Sequence, residues 1–222
     1  MAATRKTGAG PRRDYVVVEG PIGVGKTSLA RRLADTHGWS PLLERPEDNP
    51  FLERFYASRR QYALATQLSF LFQRARQLEA LKQQDLFRPQ RVADFMLEKD
   101  RLFARLILDD DELRLYDQVY NSLSLELPVP DLVIYLQAPV GVILERIRRR
   151  GIDYERHIDA DYLERLVEAY TRFFHSYTAA PLLIINAAEI NYVDSEEDYR
   201  MLVDYIQGVG SGRHFFNPLG PS

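Results

Sequence analysis

A glycine-rich loop between an apolar run and a helical segment constrains the fold of this chain more than any other feature. Residues 15–18 read YVVV, a continuous β-branched run typical of a strand buried on both faces. Residues 20–27 read GPIGVGKT, which matches G-x-x-x-x-G-K-[ST], and a helical sequence follows. Backbone N–H groups of such a loop surround phosphate oxygens, and the following helix N-terminus adds partial positive charge. The loop therefore predicts a nucleoside triphosphate site.

Two side chains of this phosphate-binding loop have predicted roles of their own. Lys26 is expected to reach the β- and γ-phosphates, and the Thr27 hydroxyl is expected to hold Mg²⁺ directly. The predicted nucleotide-binding residues are Gly20, Pro21, Ile22, Gly23, Val24, Gly25, Lys26, Thr27 and Ser28.

Short apolar runs alternate with helical patterns along the rest of the chain. The further runs lie at residues 42–43, 92–93, 132–136 and 182–185, and the clearest helical periodicities span 64–81 and 163–177. This alternation predicts an α/β fold, a five-stranded parallel sheet with helices on both faces. Ligands of such sheets bind at the carboxyl ends of the strands.

Length and charge set the domain organisation and the class of partner. The 222 residues suit one domain, predicted at 14–207, between a disordered tail at 1–13 and a C-terminal tail at 208–222. The 29 basic and 32 acidic residues nearly cancel, which argues against a nucleic-acid or membrane-surface partner. Cysteine is absent, which excludes disulfides, thiolate metal sites and cysteine nucleophiles. With no apolar signal core at the N-terminus, the sequence predicts a cytoplasmic protein.

Two acidic residues follow predicted strands. Glu44 follows the second strand, where its carboxylate faces the phosphate site and can accept a hydroxyl proton. Asp94 follows the third strand, at the usual place of an acid that holds Mg²⁺ through water. Both positions favour phosphoryl transfer over simple nucleotide binding.

An arginine-rich segment after the fourth strand favours a kinase. Residues 146–150 read RIRRR, and four arginines in five positions cannot all lie on one helical face. As a lid, predicted at about 146–157, they would supply cationic donors to a transferring phosphoryl group. A GTPase switch should carry N-K-x-D, whereas residues 191–194 read NYVD and lack the lysine.

These residues resemble the deoxyribonucleoside kinases of the deoxycytidine, deoxyguanosine and deoxyadenosine kinase type, over about residues 15–206. In that match Glu44 is the general base for the 5′-hydroxyl. The family's sugar-binding tyrosine, base-reading glutamine and following arginine are spaced by eleven and seven residues, and Tyr56, Gln67 and Arg74 keep both intervals. The resemblance also implies an α/β fold of the P-loop kinase type, ATP and Mg²⁺ as cofactors, and a homodimer.

The lid and the pocket wall belong to the same resemblance. Arg146 and Arg150 match lid positions that contact phosphate and adenine, and Glu155 matches an acid that pairs with the tyrosine on the sugar 3′-hydroxyl. The region around Phe103 is expected to wall the nucleoside pocket. The implied reaction is ATP-dependent phosphorylation of a deoxyribonucleoside to its 5′-monophosphate, a step of nucleotide salvage.

The chain departs from the family pattern in two places. Many relatives place an arginine after the third-strand acid, whereas Phe95 follows Asp94 here. Arg101 is a possible substitute for that phosphate contact. Ile152 stands where a second lid arginine is common.

Several alternatives remain open at this stage. One is a nucleoside monophosphate kinase such as thymidylate kinase, and another is a regulatory module that binds ATP without transferring phosphate. For the base, Gln67 with Arg74 and Asp100 favours deoxyadenosine or deoxyguanosine, then deoxycytidine, with thymidine last. The apolar face of the 64–81 helix can serve either as core or as a dimer interface.

Overall fold

A computed structural model describes residues 11–83, 89–123 and 128–218, with side chains of 81–83 left undescribed. The strands are β1 Tyr15–Glu19, β2 Ser40–Leu42, β3 Arg91–Ala93, β4 Leu132–Gln137, β5 Leu182–Asn186 and β6 Arg213–Phe216. The helices are α1 Lys26–His37, α2 Leu52–Ala57, α3 Arg59–Gln83, α4 Lys99–Ile107, α5 Asp110–Ser122, α6 Val140–Arg150, α7 Ala160–His175 and α8 Glu196–Gly208. Short 3₁₀ helices form at Pro46–Asp48 and Asp153–His157.

The sheet is parallel throughout, in the order β2-β3-β1-β4-β5-β6. The chain leaves β1 for β2 and β3 on one side and returns to β4 on the other, so the strand order reverses at β1. The crevice outside the carboxyl end of a strand at such a switch point is where α/β sheets bind ligands. The phosphate-binding loop follows β1 and therefore lies in this crevice.

The predicted parallel α/β sheet is confirmed, but the predicted number of five strands is wrong. The sixth strand, β6, lies at the sheet edge inside the segment expected to be a C-terminal tail. Its four residues begin with Arg213 and His214, and only Phe216 is buried, while Phe215 is 65% exposed. Because this short strand is mostly polar or exposed and lies among Gly and Pro residues, it gives no apolar run in the sequence.

The helical periodicities of the sequence correspond to buried helix faces. On α7 the side chains of Leu163, Leu166 and Tyr170 are buried against the sheet core. On α3, Leu71 and Leu78 pack with Phe95 in a second cluster of buried residues. The part of the apolar face of α3 that holds Leu71 and Leu78 is therefore core, one of the two alternatives that the sequence left open.

The folded part begins earlier than residue 14. Arg13, expected in the disordered tail, is buried and donates from Nη2 to the carbonyl of Val209 at 2.7 Å. Residues 1–10 and 219–222 of the two predicted tails lie outside the described residues. Within the described parts of the chain, no helix is long and apolar enough to span a membrane.

Candidate active site

The phosphate-binding loop adopts backbone angles that its glycines make possible. Gly25 has φ of 109° and directly precedes α1, and a Cβ there would overlap the hydroxyl of Tyr192. Gly20 has φ of 150°, and a Cβ there would come within 2.6 Å of the Leu136 carbonyl oxygen. Side chains other than glycine are therefore excluded at both ends of the loop by strain and by contact.

The loop is also held from outside by two hydrogen bonds to one carbonyl. The Tyr192 hydroxyl and the Arg146 Nη1 each donate to the carbonyl oxygen of Val24 at 3.0 Å. Inside the loop, Lys26 donates from Nζ to the Pro21 carbonyl at 3.1 Å. Burial and the neighbouring ammonium of Lys99 lower the pKa of Lys26 to about 8. The loop is thus fixed before any phosphate enters it.

Asp94 joins the end of β3 to both the phosphate-binding loop and the β2 edge. Its Oδ2 accepts from the Thr27 hydroxyl at 2.5 Å, and its Oδ1 accepts from the backbone N–H of Glu44 at 2.7 Å. The carboxylate is buried. One acid therefore sets the position of the predicted Mg²⁺ ligand and of the predicted base.

Glu44 lies two residues beyond β2 and forms ion pairs with Arg74 on α3. Both Nε and Nη2 of Arg74 donate to Oε1 of Glu44, and Nη1 donates to Asp100. Burial would raise the pKa of Glu44, but Arg74 and then Lys99 outweigh it and hold that pKa at about 2. Burial raises the pKa of Asp100 to about 6 despite the opposing Arg74. Glu44 is therefore ionised in the neutral pH range.

A cavity with an enclosed volume of about 150 Å³ lies beside these groups. The structure brings most of the predicted site residues to its wall. The predicted residues that line it are Ile22, Lys26, Thr27, Glu44, Tyr56, Gln67, Arg74, Asp94, Phe103, Arg150 and Glu155. Sequence reasoning did not identify Phe70, Tyr162 and Tyr170, which also line it.

Some polar side chains of the cavity already contact other residues of the chain. Gln67 donates one amide hydrogen to the Asp100 carbonyl oxygen at 3.3 Å, which leaves a second hydrogen and the amide oxygen. Tyr56 stacks on Tyr154 with ring centroids 5.8 Å apart, and burial raises its pKa well above the ordinary value. Asp100 lies behind Arg74 and is not among the residues that line the cavity.

The predicted lid covers this cavity with an ion pair. Arg150 at the end of α6 donates from Nε to Glu155 Oε2 at 3.0 Å, and Glu155 lies in the following 3₁₀ helix. Arg146, Arg149 and Arg150 line a cavity at the phosphate-binding loop, whereas Arg148 is exposed and lines neither this cavity nor that one. The expectation that the four arginines cannot share one face is confirmed.

A second, more open cavity lies on the other side of the phosphate-binding loop. Residues 188–194, between β5 and α8, form one wall, and the loop with Arg146 and Arg150 forms the other. Its volume is about 740 Å³. Lys26, Thr27 and Arg150 line both cavities, so the two meet at the phosphate-binding loop.

A family model described as deoxynucleoside kinase matches residues 16–209 of this chain. The chain belongs to the deoxynucleoside kinase family. The deoxyguanosine kinase of Bacillus subtilis (strain 168) is 31% identical over 198 residues, covering 87% of this chain and 96% of that protein. The deoxyadenosine kinase of Dictyostelium discoideum is 29% identical over 214 residues, covering 93% and 83%.

A solved structure shows the same fold as this deoxynucleoside kinase. The deoxyadenosine kinase from M. mycoides with bound dATP superposes with a TM-score of 0.75 at 24% identity. The match covers 87% of this chain and 100% of that one. The predicted α/β fold of the P-loop kinase type is therefore confirmed at the level of the whole domain.

One predicted contact of this kinase is wrong. Arg101, considered as a source of the missing phosphate contact, faces α5, where its Nε lies 3.2 Å from Asp117 Oδ1 and its guanidinium covers the Tyr120 ring. It does not line either cavity described above. The cause is helical phase, because Arg101 follows Lys99 by two residues and so points to the opposite side of α4.

Two charged residues of the site escaped sequence reasoning. Glu19, at the end of β1, is fully buried and accepts from the backbone N–H groups of Gly20 at 3.0 Å and Met96 at 2.9 Å. Lys99, at the start of α4, lies 3.2 Å from Glu19 and 3.5 Å from Glu44. One sequence feature could have drawn attention to Lys99. Lysine is rare in this chain, and the 29 basic residues include only four lysines, Lys6, Lys26, Lys82 and Lys99.

Proposed function

We propose that this kinase transfers the γ-phosphoryl group of ATP to the 5′-hydroxyl of a deoxyribonucleoside. The observation that carries the proposal is that Lys26 and Glu44 line one cavity, which adjoins the larger cavity at the phosphate-binding loop. A triphosphate on the loop and a nucleoside beside Glu44 would then present the γ-phosphate and the hydroxyl to each other. Phosphoryl transfer depends mainly on such positioning and on electrostatic stabilisation.

Mg²⁺ fits the oxygen donors beside the loop. Thr27 is exposed, and its hydroxyl is 2.5 Å from Asp94 Oδ2, so a hydroxyl and a carboxylate adjoin the phosphate site. Mg²⁺ prefers oxygen ligands, keeps several waters and usually takes one or two protein ligands with the phosphates. Thr27 would hold the ion directly and Asp94 through water. Bound there, Mg²⁺ would neutralise charge on the β- and γ-phosphate oxygens.

Glu44 would orient the hydroxyl and accept its proton late in the reaction. With a pKa of about 2, its carboxylate is ionised but is a weak base. The transition state of phosphoryl transfer is loose, so the attacking hydroxyl keeps its proton until the new bond is well advanced. A weak, well-placed acceptor suits that order of events. Asp94 supports this role because it fixes the Glu44 backbone.

The lid side of the cavity would hold the sugar. Tyr56 and Glu155 both line it, and Glu155 is buried and ion-paired with Arg150. We propose that these two side chains bind the 3′-hydroxyl, which leaves little space beside it for a 2′-hydroxyl. The cavity volume of about 150 Å³ is below the ~300–1,000 Å³ of small-molecule sites, so the 146–157 segment would move as the nucleoside enters.

The base would lie against Gln67 and Arg74. The uncommitted amide groups of Gln67 offer a donor and an acceptor, the pattern of an adenine edge. The relatives that match this chain include enzymes named deoxyguanosine kinase and deoxyadenosine kinase. We therefore propose a preference for purine deoxynucleosides, with thymidine last.

We also propose that the kinase is a homodimer. A groove of about 580 Å³ between α4 and α7 contains the apolar side chains of Leu102, Leu106 and Phe173. This groove is the candidate surface for self-association. Light scattering coupled to size-exclusion chromatography should give twice the 25.7 kDa mass of one chain.

An acceptor screen tests the proposed reaction. ATP and Mg²⁺ are supplied with each of the four deoxynucleosides, the ribonucleosides and the deoxynucleoside monophosphates. The proposal expects ADP and a 5′-monophosphate with deoxyguanosine or deoxyadenosine as the best acceptor. A monophosphate as the preferred acceptor would instead support the thymidylate kinase-like alternative, and ATP binding without any product would support the regulatory module.

A further inference from the structure

We propose that Lys99 is a catalytic residue of this kinase whose ammonium contacts the 5′-oxygen and the transferring phosphoryl group beside Glu44. This inference deepens the proposed function and rests on it. Lys99 is not part of the motifs described above. It lies at the start of α4 and therefore reaches the site from a different element.

The position of Lys99 is set by two carboxylates. Its side chain is 4% exposed, and its Nζ lies 3.2 Å from Glu19 Oε1 and 3.5 Å from Glu44 Oε1. Both contacts are ion pairs, and an ammonium carries three hydrogens that it can direct to different acceptors. Because Lys99 lines the same cavity as Lys26 and Glu44, the third hydrogen, which is not directed to either acid, can point toward a ligand there.

Glu19 is suited to position this lysine. Its Oε2 accepts from the Gly20 N–H at 3.0 Å and from the Tyr170 hydroxyl at 3.2 Å, and its Oε1 accepts from the Met96 N–H at 2.9 Å. These donors come from the phosphate-binding loop, α7 and the segment after β3. The carboxylate is therefore fixed by backbone and side-chain donors, and it holds the buried Lys99 ammonium beside Glu44.

The other cations of the cavity have different partners. Arg74 is ion-paired with Glu44 and Asp100, and Arg150 with Glu155. Lys26 belongs to the phosphate-binding loop, where it donates to the Pro21 carbonyl. Arg74 and Arg150 each donate from two nitrogens to one carboxylate. Lys99 lies beside Glu44 without such a paired contact. A transferring phosphoryl group spreads negative charge over its oxygens, which a fixed cation stabilises.

Two observations indicate which positive charge Lys99 supplies to the site. Phe95 and Met96, which directly follow Asp94, are apolar and buried, so the segment after β3 brings no cation of its own to the site. Lys99 and Lys26 are close enough for Lys99 to lower the pKa of Lys26, so two positive charges converge on one cavity. A triphosphate on the loop would bring its γ-phosphate to this cavity in the proposed reaction, where both ammonium groups can contact it.

The competing explanation is that Lys99 only neutralises the buried Glu19. Four variants separate the two explanations: Lys99→Met, Glu19→Gln, the double variant with both changes, and Arg31→Met as a control at an exposed position of α1. If Lys99 only neutralises Glu19, the double variant recovers wild-type turnover. If Lys99 acts on the phosphoryl group, the double variant stays as slow as Lys99→Met.

For a group of this kind, we expect Lys99→Met to lower kcat by about 10²–10³-fold, with a much smaller change in the nucleoside KM. Arg31→Met should retain wild-type turnover, and turnover by wild type and this control verifies the proposed reaction independently of Lys99. If wild type and Arg31→Met transfer no phosphate to any deoxynucleoside, the proposed function fails. If they do transfer it, the Lys99 assignment fails when Lys99→Met has the same turnover or when the double variant recovers wild-type turnover.

Chemical rescue keeps the test decisive if Lys99→Met folds poorly. The sequence contains no cysteine, so Lys99→Cys introduces the only thiol. Its thiolate displaces bromide from 2-bromoethylamine and becomes a thioether that carries an ammonium at nearly lysine length. We expect alkylation to restore at least a tenth of wild-type kcat. Full modification, verified by mass spectrometry on protein with a wild-type melting temperature, without such recovery would overturn the assignment.

Discussion

Arg74 donates from two of its nitrogens to a single oxygen of Glu44, with Nε at 2.8 Å from Oε1. The remaining nitrogen of the guanidinium donates to Asp100 on α4. The arginine proposed to contact the base is thus paired directly with the carboxylate proposed to orient the hydroxyl. In the proposed function, nucleoside recognition and phosphoryl transfer would therefore share one buried ion-pair network.

The first prediction concerns this coupling. Arg74→Met removes the cation that contributes most to the low pKa of Glu44, so that pKa should rise from about 2 toward its ordinary value. Glu44 would then become protonated at a higher pH, and the acid limb of the kcat profile should move up by about one pH unit or more. Arg76→Met changes an exposed arginine on the same helix and should leave the limb in place. An acid limb that does not move in Arg74→Met would show that Glu44 does not control it.

The second prediction concerns Lys26 at high pH. Its pKa in the free enzyme is about 8 because of burial and of Lys99. The loop needs the ammonium form to bind triphosphate, so kcat/KM for ATP should fall as the pH rises through about 8. Lys26→Arg stays charged and should remove this basic limb at the cost of lower turnover. The same limb in both enzymes would assign it to another group.

The third prediction concerns Asp94. Its two oxygens accept from Thr27 and from the Glu44 backbone, and an asparagine retains only one acceptor. We expect Asp94→Asn to weaken the apparent Mg²⁺ affinity about 10–100-fold, as loss of a group that orients a metal ligand does. Mg²⁺ titration of the initial rate at saturating ATP measures this. Asp35→Asn on the exposed side of α1 is the control, and equal Mg²⁺ dependence in both variants would contradict the assignment.

The phosphate-binding loop and the parallel sheet were predictable because both depend on local patterns. The loop motif fixes a strand, a turn and a helix within a few residues, and β1, β4 and β5 are continuous apolar runs. Glu44 and Asp94 were predictable for a related reason, since each directly follows a predicted strand. A parallel sheet brings such positions to one edge.

The Lys99–Glu19 pair was not predictable in the same way. Glu19 is an ordinary polar residue at a strand end, and its partners on α4 and α7 are about 80 and 150 residues away in sequence. The prediction that Arg101 is a cation of the site was wrong. Lys99 occupies that place instead, because residues two apart on a helix point to opposite sides. The exact phase of α4 depends on packing of Asp100 and Ala104, which the sequence alone does not determine.

The fourth prediction concerns the sugar. Tyr56→Phe removes a hydroxyl proposed to bind the 3′-hydroxyl, and loss of such a buried partner costs about 1–3 kcal/mol, or up to about a hundredfold in kcat/KM. Wild type should discriminate strongly between a deoxynucleoside and its 2′,3′-dideoxy analogue, and Tyr56→Phe should lose much of that discrimination. An unchanged ratio between the two substrates would place the 3′-hydroxyl elsewhere in the cavity.

The most direct test of the central claim is product formation by wild type and Glu44→Gln, followed by ³¹P NMR with ATP, Mg²⁺ and deoxyguanosine or deoxyadenosine. Glutamine keeps the size of the side chain but cannot accept the proton, for which a loss of about 10²–10⁴-fold in turnover is typical. The account predicts ADP and deoxynucleoside 5′-monophosphate from wild type, and a kcat lower by that factor in Glu44→Gln with a smaller change in the nucleoside KM. Equal turnover by the two enzymes, or phosphate on another oxygen of the nucleoside, would contradict it.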